Sequence, residues 1–216
     1  DHLLGASLLN GRGEVLSFGG QVMKNVAGYD VSRVLAGSLG ILGVICEVSL
    51  KVLARPATAQ TLRFELDLPA ALQRVNEWGG QPLPINASAW WRGMLVVRLA
   101  GAEAAVHAAR TRLGGEAIEP TLADAFWDGL RDQTDEFFAA ASQAVRDGAS
   151  LWRLSVPQTA AALGLDNDTL VEWGGAQRWL ASEAPARQVR DAAARAGGHA
   201  TLFRAQDKSA GVFAPL

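Results

Sequence analysis

The sequence predicts an α+β protein in which two βαββαβ passes, the ferredoxin-like order, share one antiparallel sheet behind a shorter β-rich segment. Three observations carry this. Short runs of alternating apolar and polar residues recur through the 216 residues, as in strands half-buried in antiparallel sheets. Between them lie helical stretches opened by proline or aspartate and closed by glycine pairs. After Arg55-Pro56 and the small residues Ala57-Thr58-Ala59 the pattern changes, which divides the chain into residues 1–56 and 57–216.

In the first segment, Leu3 to Leu9 reads as a strand, Asn10-Gly11-Arg12-Gly13 as a turn, and Glu14 to Phe18 as the returning strand. Gly19-Gly20 breaks it. Asp30 caps a short helix with Val31, Val34 and Leu35 on one face and Gly37 as its stop. Gly37, Gly40 and Gly43 follow in G-x-x-G-x-x-G spacing, and Val44 to Leu53 forms a strand. Glycines so placed suit either a backbone loop that approaches a ligand closely or a tight turn packed under a sheet. The dinucleotide fingerprint is absent, because these glycines lie between a helix and a strand rather than between a strand and a helix. No Gly-Lys-Ser/Thr triplet marks a P-loop.

The second segment opens with strand Gln60 to Leu66, helix Pro69 to Trp78, strands Ile85 to Trp91 and Met94 to Ala100, helix Ala102 to Leu113, and strand Glu116 to Ile118. Leu122 to Ala144 is a mostly helical connector. The order then recurs: strand Ser150 to Val156, short helix Gln158 to Leu163, strands Thr169 to Trp173 and Ala176 to Ala181, helix Pro185 to Ala196, and strand His199 to Arg204. The repeat lies in element order rather than in residues, and all helices are expected on one face of the sheet.

Composition narrows function. Apolar residues make up 49% and charged ones 19%, which suits a soluble globular protein with a packed core. A net charge of -2 argues against a nucleic-acid partner. The longest apolar run, Ala36 to Cys46, is too short to span a bilayer, so no direct membrane insertion is expected. The lone Cys46 fits a reducing compartment and, among Val44, Ile45 and Val48, is expected to be buried. No H-x-x-H, H-E-x-x-H or C-x-x-C supports a metal or iron–sulfur site.

The stretch GGQVMKNVAGYDVSRVLAGSLGILGVICEVSLKVL (Gly19 to Leu53), with WGGAQRWL and AGGHATLF further on, closely resembles the vanillyl-alcohol-oxidase-type (PCMH-type) FAD-linked oxidases. Within that family it is similar to the FAD-binding subunits of bacterial glycolate oxidases. The resemblance implies that residues 1–56 are the second half of a PCMH-type FAD-binding domain and residues 57–216 an α+β cap domain. The chain, opening at Asp1 in mid-strand, would then be an excerpt truncated at both ends, with FAD binding in the complete subunit and weak or no binding here. It further implies that the backbone around Gly40, Ile41, Gly43, Val44 and Ile45 contacts the adenine, ribose and pyrophosphate. Asn25, Gly28, Tyr29 and Asp30 would line the neighbouring wall, the alternative being a solvated loop with an Asp cap. Ile41 and Cys46 depart from the threonines usual there.

By the same resemblance the activity is oxidation of glycolate to glyoxylate, with electrons leaving through a second flavoprotein subunit and an iron–sulfur subunit in a cytoplasmic complex, at the inner membrane only peripherally. The competing reading is a non-catalytic scaffold with a vestigial flavin site. Such oxidation needs a base for the hydroxyl proton, and only His2, His107 and His199 are available as histidines. None matches the family's histidine-bearing, metal-associated motif, so the base stays unassigned. Of the seven tryptophans, Trp90, Trp91, Trp152, Trp173 and Trp179 fall on predicted strands. They fill the sheet's core face or a subunit interface, or form a stacking surface over a flavin or a partner.

Overall fold

The computed structural model describes residues 2–20, 29–165 and 168–213. The chain forms two compact units, residues 1–55 and residues 56–216.

The first unit is an antiparallel three-stranded sheet in the order β2-β1-β3, built from β1 (Leu3–Leu9), β2 (Val15–Gly19) and β3 (Val44–Leu50). The β1–β2 turn forms because Asn10 Oδ1 accepts from the N–H groups of Arg12 and Glu14 at 2.8 and 3.0 Å. Helix α1 (Val31–Leu35) is capped by Asp30, which accepts from Arg33 N. It buries Ser32 and Leu35, with Leu35 packed beside Ala6, Leu8 and Phe18. The expected stripe of Val31, Val34 and Leu35 does not form, and Val34 is 64% exposed. In little more than one turn, only the residues at i and i+3 face the sheet. Strand β3 ends three residues before the expected Leu53, because its last pairing is Leu50 with Leu3, near the start of β1. Cys46 is exposed rather than buried. Its apolar neighbours Val44, Ile45 and Val48 are themselves exposed, so they give the thiol no interior.

The second unit holds an eight-stranded antiparallel sheet. Its first pass is β4 (Thr58–Glu65), α2 (Leu68–Gly79), β5 (Ile85–Trp91), β6 (Met94–Gly101), α3 (Glu103–Leu113) and β7 (Glu116–Ala117). Helices α4 (Pro120–Asp132) and α5 (Glu136–Arg146) follow, and then β8 (Ser150–Ser155), β9 (Thr169–Glu172), β10 (Gln177–Ser182), α6 (Ala186–Arg195) and β11 (His199–Arg204). The spatial order is β11-β8-β10-β9-β5-β6-β4-β7. Each half therefore places its fourth strand beside its first, then its third and its second, and the halves join where the two second strands meet.

Two expectations need correction. The helix expected at 158–163 is absent, and the second pass runs βββαβ. There the carbonyls of Ala160 and Ala161 accept from the Arg178 guanidinium and that of Gln158 from Asn76, so the backbone bonds to side chains instead of to its own next turn. Nor do the helices share one face. Helices α2 and α3 pack on Leu62, Leu95, Val97 and Leu99, and α6 on Trp152, Leu154, Leu180 and Leu202. Helices α4 and α5 cover the opposite side, around Ala89, Leu151, Leu170 and Trp179. The linker's apolar positions, Leu130, Phe137, Phe138 and Ala141, are spaced to give it a buried face of its own. Trp91, Phe137, Phe138, Trp179 and Phe203 form a chain of edge-to-face contacts with centroids 4.9 to 6.0 Å apart, each worth roughly 0.5–1.5 kcal/mol beyond burial.

Candidate functional site

Two places carry the chemistry, one in each unit. In the first, residues 37–43 link α1 to β3 through a run of left-handed backbone: Gly37 at φ 83°, Leu39 at 53° and Gly40 at 81°. Leu39 is the exception worth noting, since a branched residue rarely holds that conformation and such outliers gather at functional sites. Ile41 N donates to Ser38 O at 3.1 Å and Gly43 N to Gly40 O at 3.3 Å. Among the described residues, the N–H groups of Leu39, Gly40 and Leu42 make no backbone hydrogen bond and lie on exposed residues. Unpaired amides in a turn of this kind form a concavity that attracts oxyanions.

The two glycines of this loop do different things. A Cβ on Gly40 would meet nothing within 4 Å, so its backbone stands open to a ligand. A Cβ on Gly43 would lie 2.5 Å from Leu9 O, so that glycine serves the close packing of β3 on the end of β1. Ile41, Val44 and Ile45 are exposed and offer apolar surface along the same edge. Asp30 is engaged: it caps α1, accepts from Ser32 Oγ at 2.9 Å and pairs with Arg33 at 3.0 Å. Tyr29 beside it is 96% exposed. Asn25 and Gly28 lie outside the described residues.

In the second unit a cleft of about 900 Å3 opens beside the junction of the two half-sheets. Strands β5 and β9 pair only at Ala89↔Glu172 and Trp90↔Val171. The chain then leaves the sheet in a 3-10 turn, Trp173–Gly175, with Trp173 at φ 53° and Gly174 at φ 63°. Gln158 Nε2 donates to Trp173 O at 3.4 Å and Gly174 N to Ser88 Oγ at 2.9 Å, which hold the turn. Trp173 therefore lies in a turn and not on a strand, and the residue is 68% exposed.

Glu172 and Arg98 share the sheet face that carries α4 and α5, and both line this cleft. Glu172 Oε2 accepts from Trp179 Nε1 at 2.7 Å and from Gln177 Nε2 at 3.1 Å. Oε1 has no hydrogen bond among the described residues. Burial pushes the Glu172 pKa up; the two donors oppose that and the nearby Asp135 carboxylate adds to it. The half-buried Arg98 side chain makes no hydrogen bond or ion pair among the described residues, whereas Arg131 across the cleft is occupied by Asp128 and Asp132.

Sequence reasoning passed over Glu172 and Arg98. The available signal was WGGAQRWL itself: the residue before it and its fifth and seventh residues are Glu172, Gln177 and Trp179, which the hairpin brings together. The histidines assemble nothing. His2, His107 and His199 are all exposed, and no cluster of metal-binding side chains exists among the described residues. Nor do the tryptophans form a broad docking face: Trp78, Trp152 and Trp179 are buried, Trp90 and Trp91 pack against the cores on opposite faces, and only Trp173 stands out.

Comparison with known proteins agrees with the fold. The chain is 46% identical over all 216 of its residues to the glycolate oxidase subunit GlcE of Escherichia coli K12, and spans 58% of that protein's length. A stretch of 78 residues, 36% of the chain, is 35% identical to 17% of the glycolate oxidase subunit GlcD of Bacillus subtilis 168. A solved alkyldihydroxyacetonephosphate synthase superposes on 92% of the chain, using 48% of its own, with a TM-score of 0.57 at 14% identity. Its fold is that of the PCMH-type FAD-linked oxidases, with the same mixture of helices and antiparallel sheets. No family model matches the chain. Among the described residues no helix is long and apolar enough to cross a membrane.

Proposed function

We propose that the chain forms part of an FAD-binding subunit of a glycolate oxidase, a reading supported by its 46% identity to GlcE over all of its own residues and by its likeness in fold to an FAD-linked oxidase. The observation that carries the cofactor is the α1–β3 loop, where the unpaired amides of Leu39, Gly40 and Leu42 meet open space at Gly40. These amides would hold the pyrophosphate oxygens, and Ile41, Val44 and Ile45 would lie along the adenine and ribose. Gly43 keeps β3 close enough to β1 to hold the loop in place. Asn25, Gly28, Tyr29 and Asp30 would form the adjoining wall, with Asp30 acting through the cap it gives α1.

Bound FAD supplies the two-electron acceptor for a CH–OH group, so that glycolate loses a hydride and its hydroxyl proton and becomes glyoxylate. The chain's own part is to bind the cofactor. Further transfer of electrons belongs to a second flavoprotein subunit and an iron–sulfur subunit.

The test is made on the complete gene product. Purified, it carries stoichiometric FAD, released on denaturation. Alone it turns over glycolate slowly with a reducible dye, and co-expression with the two partner subunits restores turnover. A colourless protein that takes up no FAD when refolded with an excess of it would reject the reading.

A further inference from the structure

We propose that the cleft beside the β5–β9 junction binds a small 2-hydroxy acid, its carboxylate paired with Arg98 and its hydroxyl donating to Glu172 Oε1. The class of ligand rests on the oxidase reading above; the pairing of groups rests on the cleft alone.

The cleft brings a held carboxylate and an unpaired cation onto one lining. Two N–H donors from β10 fix Glu172 through Oε2. The carboxylate is thereby held through one oxygen, and Oε1, on a residue that lines the cleft, is left without a hydrogen bond among the described residues. Burial has stripped water from it and raised its pKa, so a ligand hydroxyl would restore what solvation no longer supplies. Arg98 sits opposite Ala87, and Glu172 opposite Ala89, on either side of β5. Two strand spacings across and two residues along separate their backbones by roughly 12 Å. Both residues line the cleft, and no ion pair joins them among the described residues. A half-buried guanidinium without an anion has its fork of donors unused, a geometry that matches a carboxylate.

The residues around the pair favour a small polar guest. The Gln133 side-chain oxygen accepts from Arg204 at 2.5 Å while its amide nitrogen has no hydrogen-bond partner among the described residues, and Trp127 spends its indole N–H on Thr61 at 3.0 Å. The exposed Trp173 stands at the rim beside Glu172, held there by its strained backbone. Indole fluorescence therefore reports on the cleft directly: all seven tryptophans lie in this unit, and Trp127, Trp173 and Trp179 line the cleft.

The experiment titrates this chain, without FAD, with glycolate, acetate, ethylene glycol and glycine, following tryptophan fluorescence and calorimetry. Glycolate binds more tightly than acetate, which lacks the hydroxyl, and than ethylene glycol, which lacks the charge. Arg98→Gln weakens glycolate and acetate alike, by about tenfold or more. Glu172→Gln weakens glycolate and leaves acetate unchanged. Circular dichroism confirms that both variants stay folded. Equal affinity for glycolate and acetate, or tighter binding of glycine through its ammonium, overturns the ligand class. Glycolate affinity untouched by Arg98→Gln, or no binding by the folded chain, overturns the site. Because FAD is absent, these outcomes are independent of cofactor uptake by the complete protein, so failure of the site and failure of the flavin reading are told apart.

Discussion

Replacing Arg178 by methionine tests how the cleft is held in shape. Arg178 is only 2% exposed, and its guanidinium donates to Gly175 O at 3.1 Å, Ala161 O at 2.7 Å and Ala160 O at 2.5 Å. One cation thus ties the 3-10 turn beside Glu172 to the irregular segment 157–165. Hydrogen bonds to a charged group contribute roughly 1.5–3 kcal/mol each, so the gross loss is about 5–9 kcal/mol. Against this stands the desolvation of the guanidinium, several kcal/mol for a buried ion, which the variant no longer incurs. The segment is also largely exposed, so its carbonyls turn to water once released. A net destabilisation of about 2–4 kcal/mol follows. Methionine keeps most of the apolar stem, so cavity formation adds little. Urea unfolding followed by tryptophan fluorescence measures this unit alone, because residues 1–55 contain no tryptophan. Hydrogen exchange at 158–176 should accelerate more than at β6 or β8. A loss below about 0.5 kcal/mol, with unchanged exchange in the segment, would mean that the guanidinium is no more than a tolerated burial.

Valine at Gly40 is expected to lower FAD occupancy of the complete protein by about tenfold or more while β1 and β3 keep their exchange protection. Valine at Gly43 should lose both, since its Cβ meets Leu9 O; intact protection in that variant would show that the close approach is not structural. The pH dependence of stability should change in Glu172→Gln. The folded-state pKa of Glu172 is raised by burial, so the unfolded chain ionises first, and stability is lost as pH rises from the ordinary value of 4.5 through the folded pKa. The melting temperature of the glutamine variant relative to the parent should therefore rise as pH increases above 4.5 and level off once the folded-state carboxyl has ionised, and a flat difference would contradict the assigned burial. Asp135, also raised by burial, contributes with the same sign in both proteins, and less in the variant, where the Glu172 charge that repels it is gone.

Most strands and four of the helices were legible because each carries a local signal that packing had no reason to override. Ile85 to Trp91 and His199 to Arg204 were placed to the residue, bounded by turn residues on both sides. The failures share a cause. At 158–163 the run QTAAAL has ordinary helix propensity, yet a buried arginine some twenty positions away claims its carbonyls, and no local pattern announces that. Val34 and Cys46 were assigned to an interior that their own sheet does not supply. The glycine loop was visible as a motif, but not the division of labour between Gly40 and Gly43, which depends on where β1 ends. Glu172 and Arg98 were invisible for a different reason: 74 positions separate them, and only the meeting of two half-sheets puts them on one face.

That meeting also explains why the cleft lies where it does. Each half of the sheet has the same strand order, with its second strand, β5 or β9, at the inner end. A lone edge strand exposes unpaired backbone, and joining the two removes both edges at once. Yet the union uses only two residue pairs, because β9 is four residues long and Trp173 and Gly174 turn it out of the sheet at positive φ. Residues 85–88 of β5 are left without a β9 partner, and Gly174 N compensates in part by bonding to Ser88 Oγ. Two more residues of regular β9 would relieve the backbone strain and lengthen the ladder across the opening. A left-handed tryptophan costs roughly 1–2 kcal/mol, and the neighbouring contacts must offset it. The strain falls on the residue next to Glu172, where a continued ladder would have closed the approach to the one carboxylate oxygen left unpaired.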